Sequence, residues 1–387
     1  MAVARTENPG LSRFLLPLAG LIGLGMCVAG ILVLYDPQGG PNLLASIYEA
    51  LGNSSGATDL RNGSGDQLIA KILLAAIALA VGVGGIWLLY LGVGALVSLL
   101  RPTWRDRILP WVFAGPALAL LAVFLVYPAA GTVVRSFMDN EGQFTLANFA
   151  VMTDPEFTQI LRNNAIWLIV GTGGSVLLGL VIAGLFDRVR REALAKTFVF
   201  LPLAISLVGA SVIWGFVYAW QPAGQPQIGL LNAIVVGLGG EPVAWLTTSP
   251  INVFAQIVIL IWLQTGFAMV VFSASIKGVS GEVIEAARLD GANERQLFLR
   301  VIVPMIRGSI VTVSTTIAII TLKIFDIVYV TTGGLFNDDV VAVRMFKEVY
   351  QFFNDGRGAA LATLLFLGVL PVMYLNLRNF RRQQAEG

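Results

Sequence analysis

A chain of 387 residues with 56% hydrophobic and 12% charged residues, a mean hydropathy of +0.79 and a formal net charge of +2 has too little polar surface to cover a water-soluble globule. Its solvent is the bilayer, and its basic residues, scattered between apolar runs instead of gathered in one stripe, leave no case for nucleic acid as a partner. The absence of His excludes imidazole catalysis, His metal sites and His-based pH sensing, while the lone Cys27, inside an apolar run, is a small packing residue that cannot form an internal disulfide.

A bilayer core needs about 20 apolar residues per helix, and runs of that order occur at 15–35, 72–100, 109–130, 165–186, 197–220, 253–276, 310–330 and 359–377. The expected fold is therefore an all-α membrane protein of eight transmembrane helices. Only the seventh run carries charge, Lys323 and Asp326, three residues apart and so on one face of a continuous helix. The first run follows Arg5 and Arg13 and contains a faint lipoprotein-like Leu24-Gly25-Met26-Cys27, but it continues well past Cys27 and reads as a retained span. Lys and Arg number seventeen in one set of alternate loops and seven in the other, which predicts both termini on the cytoplasmic side. The opposite loops are short and rich in Gly, Pro and acidic residues. Within one of them, 340–353, Val341, Met345, Val349 and Phe352 recur at three and four residues around Arg344, Lys347 and Glu348, an amphipathic helix that either packs on its own spans or docks a soluble partner.

The longest cytoplasmic loop, 277–308, has the local chemistry of two short helices at a tight corner. Ser280 can cap the first, Asp290-Gly291 suits a left-handed turn at its end, Asn293 with Gln296 has capping-box spacing for the second, and Pro304 fits the start of the next membrane helix. Small Ala286 and Ala287 permit close approach by another surface, and Glu285 offers it a carboxylate.

Glu285-Ala286-Ala287, three residues, Gly291, nine residues and then an apolar-x-apolar-Pro ending at Pro304 resembles the EAA signature of bacterial ABC importer permeases. Val301 and Val303 stand where that family usually has Ile and Leu, and both keep a branched apolar side chain. The resemblance covers roughly 109–382, a six-span permease core of a domain 109–387, behind a domain 1–108 that holds two further N-terminal spans as in the eight-span maltose-type subunit. Leu201-Pro202, Trp262 with Gln264, and Leu322 to Val328 with Gly333-Gly334 resemble carbohydrate permeases, the last stretch most closely those of the alpha-glucoside type. The large outer domain that the maltose-type subunit inserts after its third span is replaced by a loop of 131–164, so that domain's contacts with a binding protein do not carry over.

The resemblance implies that Glu285, Ala286, Ala287, Asp290 and Gly291 form a coupling helix seated in an ATPase subunit, and that Gln264, Thr265, Phe267, Thr316, Thr321, Lys323 and Asp326 line a sugar pathway. Leu203 and Leu207 replace polar side chains found in the family, which leaves Ser206 as the fifth span's polar group there. Threonines in membrane helices also commonly bond their own backbone. A charge in mid-membrane is costly, and three roles account for Lys323 and Asp326: a sugar contact by Lys323, a gate held by an ion pair, or a structural pair facing a second permease. Because no Gly-x-x-x-x-Gly-Lys-Ser/Thr loop is present, the chain itself is expected to be non-catalytic, with no metal or cofactor of its own and ATP-Mg bound on partner chains. The implied partners are two ATPase subunits, a second homologous permease, an extracytoplasmic sugar-binding protein and the lipid of a bacterial or archaeal inner membrane. The alternative is an ATP-independent secondary transporter or channel, for which neither an internal repeat nor spans interrupted around an ion site is evident. A membrane-embedded enzyme would need clustered acids or nucleophiles, and the spans hold only Lys323 and Asp326 as charges.

Overall fold

The computed structural model describes residues 102–386 apart from 140 and 187–190, together with scattered positions before 102. They belong to two compact units, Met1–Pro128 and Ala129–Gly387. The predicted spans 15–35 and 72–100, single helical positions aside, lie outside the described residues, as does Cys27. Among the described residues the chain is helical, with one isolated bridge between Met138 and Phe144 and no strand.

In chain order the helices are α1 (Trp104–Ser136), α2 (Phe157–Phe186), α3 (Glu192–Ala204), α4 (Leu207–Val217), α5 (Leu230–Gly237), α6 (Ile251–Lys277), α7 (Gly281–Leu289), α8 (Glu294–Met305), α9 (Arg307–Leu322), α10 (Asp326–Thr331), α11 (Val341–Tyr350) and α12 (Asp355–Glu386). α1, α2, α6 and the Asp355–Arg378 part of α12 are each long and apolar enough to cross a bilayer, and the bent pairs α3–α4 and α8–α9 raise the number of crossings from four to as many as six. These correspond to the six predicted runs from 109 onward.

In the first unit, Pro110 and Pro116 lie inside α1, where each removes a backbone hydrogen bond that membrane helices recover by local adjustment. A wider π turn, Ala122–Val126, follows them. Tyr90 Oη donates to the Phe113 carbonyl at 2.8 Å, with the two rings stacked at 5.5 Å.

The second unit is built around α6, whose Ile257, Ile259, Leu260, Leu263, Met269 and Phe272 are buried. Small residues let its neighbours come close. A Cβ added to Gly179 of α2 would lie 2.4 Å from the Ala268 Cβ, and one on Gly266 of α6 would lie 2.5 Å from the Val199 carbonyl of α3. In a bilayer, where lipid tails compete with apolar side chains, such close approach is a main source of helix association.

Two predicted spans are not continuous. The run 197–220 bends by 102° between α3 and α4, because Ser206 takes an extended conformation and its Oγ accepts from the Gly209 amide at 3.0 Å, starting a new helix. Ser206 is thereby occupied as a cap. The run 310–330 ends as a helix at Leu322, resumes at Asp326, and leaves Lys323 to Phe325 outside both α9 and α10. Lys323 and Asp326 therefore do not share one helical face.

Candidate functional site

α6, with 27 residues, is about 40 Å long at the α-helical rise, and it separates two constructed ends. At its C-terminus stands the hairpin of α7 and α8. α7 closes on Gly291 at φ +84°, with the Ala292 amide donating to the Ala287 carbonyl at 3.0 Å and the Gly291 amide to the Arg288 carbonyl at 3.0 Å. This is a Schellman motif, which satisfies the carbonyls an α-helix leaves free at its end. α8 begins with the predicted capping box, Asn293 Oδ1 accepting from the Gln296 amide and Gln296 Oε1 from the Asn293 amide, both at 2.9 Å. Ser280 departs from expectation: it occupies the cap position of α7 but its hydroxyl makes no capping bond. Pro304 also differs, since it lies in the last turn of α8, and the membrane helix starts after a 71° bend, at Arg307.

The corner projects. Leu289 at its tip is 89% exposed, Glu285, Ala286, Asp290 and Gly291 are exposed, and Glu285 has no hydrogen bond or ion pair among the described residues. Ala287 faces inward with Ile284, Phe298 and Val301 against the core cluster of Met269, Phe272 and Leu297. The base is braced: Lys277 at the end of α6 pairs with Glu192 of α3 at 2.7 Å, Glu192 also pairs with Lys196, Lys196 donates to Ser273, and Ser275 bonds Ser309 at 2.8 Å. An exposed carboxylate and small residues on a short helix, fixed by a glycine turn and a braced base, make a rigid prong suited to a complementary socket.

In mid-chain, the predicted pathway residues behave unequally. The Thr265, Thr316 and Thr321 hydroxyls donate to carbonyls four residues earlier in their own helices, at 2.6 to 2.8 Å. Their donors are spent on the backbone, and Thr172 adds a 3.4 Å contact to Thr321. Gln264 is 7% exposed and its amide has no hydrogen-bond partner among the described residues. Phe267 packs half-buried beside the Met269 cluster. Lys323 is exposed and Asp326 half-buried, with no ion pair between them. Each charge instead suits its own helix end, because Lys323 caps the C-terminus of α9 and Asp326 begins α10, where the macrodipole favours a cation and an anion respectively.

At the N-terminal end of α6 lies a feature that apolarity counting misses. The loop 332–340 folds over the bundle through Gly333, Gly334 and Asn337, all at positive φ, and is held by side chains from three separate segments. Asp338, fully buried, accepts from Gln256 Nε2 and from Thr332 Oγ1, both at 2.6 Å. Asn252 donates to the Phe336 carbonyl at 2.8 Å, Asn163 to the carbonyls of Asn337 and Asp339, and the Val341 amide donates to Asn164 Oδ1 at 2.8 Å. The signal available in sequence was the set of Asn163, Asn164, Asn252 and Gln256 at or inside apolar runs. The loop leads into α11, which matches the predicted amphipathic segment and packs Val341 and Met345 against Phe157 and Leu361, its own spans.

Lys347 of α11 bonds Asp339 at 2.9 Å and the Gly334 carbonyl at 3.2 Å. Burial pushes the Asp339 carboxyl above the usual carboxylate range, against the opposing pull of Lys347. A carboxyl whose folded value is raised contributes stability below its unfolded value and loses it as pH climbs through the folded one. Lys347→Met removes the opposing cation, so the assembled protein is expected to lose about 3 kcal/mol at neutral pH and less at pH 5. Thermal unfolding followed at both pH values checks this, and an equal loss at both would contradict it.

Residues 175–383 match the family model described as binding-protein-dependent transport system inner membrane component. The chain is 51% identical over 276 residues to the osmoprotective compounds uptake permease protein GgtC of Synechocystis sp., covering 70% of this chain and 99% of that one. It is 48% identical over 284 residues to the alpha-glucoside transport system permease protein AglF of Rhizobium meliloti, covering 72% and 84%. Its fold resembles a crystal structure of a bacterial ABC transporter involved in the import of the acidic polysaccharide alginate, with a TM-score of 0.58 at 19% identity over 73% of this chain and 99% of that one. The multi-pass helical bundle described above has the fold of that ABC importer structure. The chain belongs to the family of binding-protein-dependent transport system inner membrane components.

Proposed function

We propose that this chain is the permease subunit of an ATP-driven sugar importer, with α-glucosides as the leading substrate class, and that it forms half of the translocation pathway. The observation that carries the coupling role is the projecting hairpin whose Schellman corner exposes Glu285, Ala286, Asp290 and Gly291 while Ala287 anchors it inward. On this reading the hairpin enters a groove of an ATPase subunit, two such subunits bind ATP-Mg, a second homologous permease completes the pathway, and a sugar-binding protein delivers substrate. The hairpin side is cytoplasmic, as the excess of Lys and Arg in that set of loops favours, and both termini lie there. The 332–340 loop then faces outward. Gln264 and Lys323, which have no hydrogen-bond partner among the described residues, are the groups best able to bond sugar hydroxyls, with Thr265, Phe267, Thr316, Thr321 and Asp326 as the surrounding wall.

The purified single chain is expected to hydrolyse no ATP, and the complex co-purified with its partners is expected to import labelled trehalose, sucrose or maltose into proteoliposomes only when ATP is supplied. ATP hydrolysis by the single chain would overturn the permease assignment. Uptake that proceeds without ATP would transfer the protein to the class of secondary transporters.

A further inference from the structure

The loop between the apolar runs 197–220 and 253–276 carries a helix, α5, that is polar inside and apolar outside. Its one polar side chain, Asn232, is fully buried, while Ile228 just before the helix and Leu230, Ile234 and Leu238 along its outer side are 72%, 60%, 50% and 84% exposed. A surface helix that faces water has the opposite pattern. No charged residue occurs between Lys196 and Glu241.

The segment also meets the condition that hydrocarbon sets on a backbone, whose polar groups must find partners within the protein. Asn232 Nδ2 donates to the Ala219 and Val243 carbonyls at 3.1 and 2.9 Å, and Asn232 Oδ1 accepts from the Val243 amide at 2.9 Å and from Trp245 Nε1 at 3.1 Å. At the other end of α5, Gly239 at φ +84° turns the chain so that its own amide donates to the Val236 carbonyl and the Gly240 amide to the Val235 carbonyl, both at 2.9 Å. Gly229 sets the start of the helix directly on the chain that leaves α4, where an added Cβ would lie 2.1 Å from the Ala219 carbonyl oxygen. A protein partner would call for a polar rim and about one hydrogen bond per 100–200 Å², and apart from the buried Asn232 no side chain from Ile228 to Gly240 can make one. Acyl chains call for none. Gln221, Gln225 and Gln227 before this stretch and Glu241 after it suit a headgroup layer, and Trp220, 44% exposed, is of the type that settles at that level.

We propose that α5 lies within the membrane leaflet opposite the α7–α8 hairpin, with Leu230, Ile234 and Leu238 against lipid acyl chains and Asn232 stapling the helix to the protein. The loop 221–250 thus dips into lipid and returns, and does not stand in water. This requires only a membrane-spanning chain and is independent of the importer reading.

The test uses the full chain, with its co-purified partners, in liposomes, and Cys27→Ser as the background for single nitroxide labels at Ile234→Cys, Leu238→Cys and Gln225→Cys. Dissolved oxygen concentrates in hydrocarbon, and a nickel chelate stays in water. The ratio of oxygen to nickel collisions is expected to be about threefold or more higher at Ile234 and Leu238 than at Gln225, as for an apolar face sunk below the headgroups. The ratio is expected to be the same in zwitterionic and anionic lipid, because the segment carries no charge. Nickel access at Ile234 and Leu238 equal to that at Gln225 would overturn the proposal in favour of a loop in water. Exclusion of both reagents would overturn it in favour of a protein cover, from a second permease or from the N-terminal part of this chain. Ile234 and Leu238 stand one turn apart on the exposed face, so either label decides the outcome if the other lowers assembly.

Discussion

Gly291→Val is expected to abolish sugar-stimulated ATP hydrolysis and uptake in the assembled importer while the variant still inserts and accumulates in the membrane. The backbone at Gly291 has φ +84°, which an L residue adopts at a cost of about 1–2 kcal/mol, more for a β-branched one. No atom lies within 4 Å of where its Cβ would stand, so the penalty is conformational and not steric. Because the Gly291 and Ala292 amides hold the Schellman bonds, relief of that strain releases the Arg288 and Ala287 carbonyls and turns the tip bearing Leu289 and Asp290. A penalty of that size leaves roughly 5- to 30-fold fewer molecules with the corner in its docking shape. The spans themselves are untouched. Gly291→Asn, whose side chain tolerates the left-handed region, is expected to retain most of the activity. Normal stimulation in the valine variant would remove Gly291 from the coupling element.

The contrast between the hairpin and the spans explains what could be read from sequence. The Gly291 turn and the Asn293–Gln296 box were legible because each is a contract between residues at most five positions apart, fixed by local backbone geometry. The positions of the four continuous candidate spans and the two bent helix pairs from 109 onward were legible because apolar length alone sets them. The interruptions were not. Pro202 was a visible breaker in the first, but membrane helices often absorb a proline, every residue from Lys323 to Phe325 is compatible with a helix, and a hydropathy window has no sense of direction. The first break starts at the Ser206 cap, and the second has distant partners: Asn164 reaches the Leu322 carbonyl at 3.5 Å while its other end accepts from Val341. The buried Asp338 cage likewise joins residues up to 82 positions apart. Asn163 and Asn164 sit at a predicted span edge, where polar residues are ordinary, so the sequence marked them without showing that they hold the 332–340 loop.

Lys323→Ala is expected to lower sugar import by an order of magnitude or more while leaving assembly intact, as the loss of a hydrogen bond from a charged donor costs about 1.5–3 kcal/mol. The broken helix changes how its relation to Asp326 is tested. On one continuous face the two charges would form a pair, and removing Lys323 would strand a carboxylate; here each sits at its own helix end and no ion pair joins them. Asp326→Ala is therefore not expected to restore the import lost in Lys323→Ala. A purely structural Lys323 would show a smaller effect, the 0.3–1 kcal/mol of a cation at a helix C-terminus, and would show it in thermal stability instead of in transport. Import rates of the two single variants and the double variant, measured beside their melting temperatures, separate these cases. Recovery of import in the double variant would establish a gate held by the two charges, and wild-type import by Lys323→Ala alone would remove Lys323 from the sugar pathway.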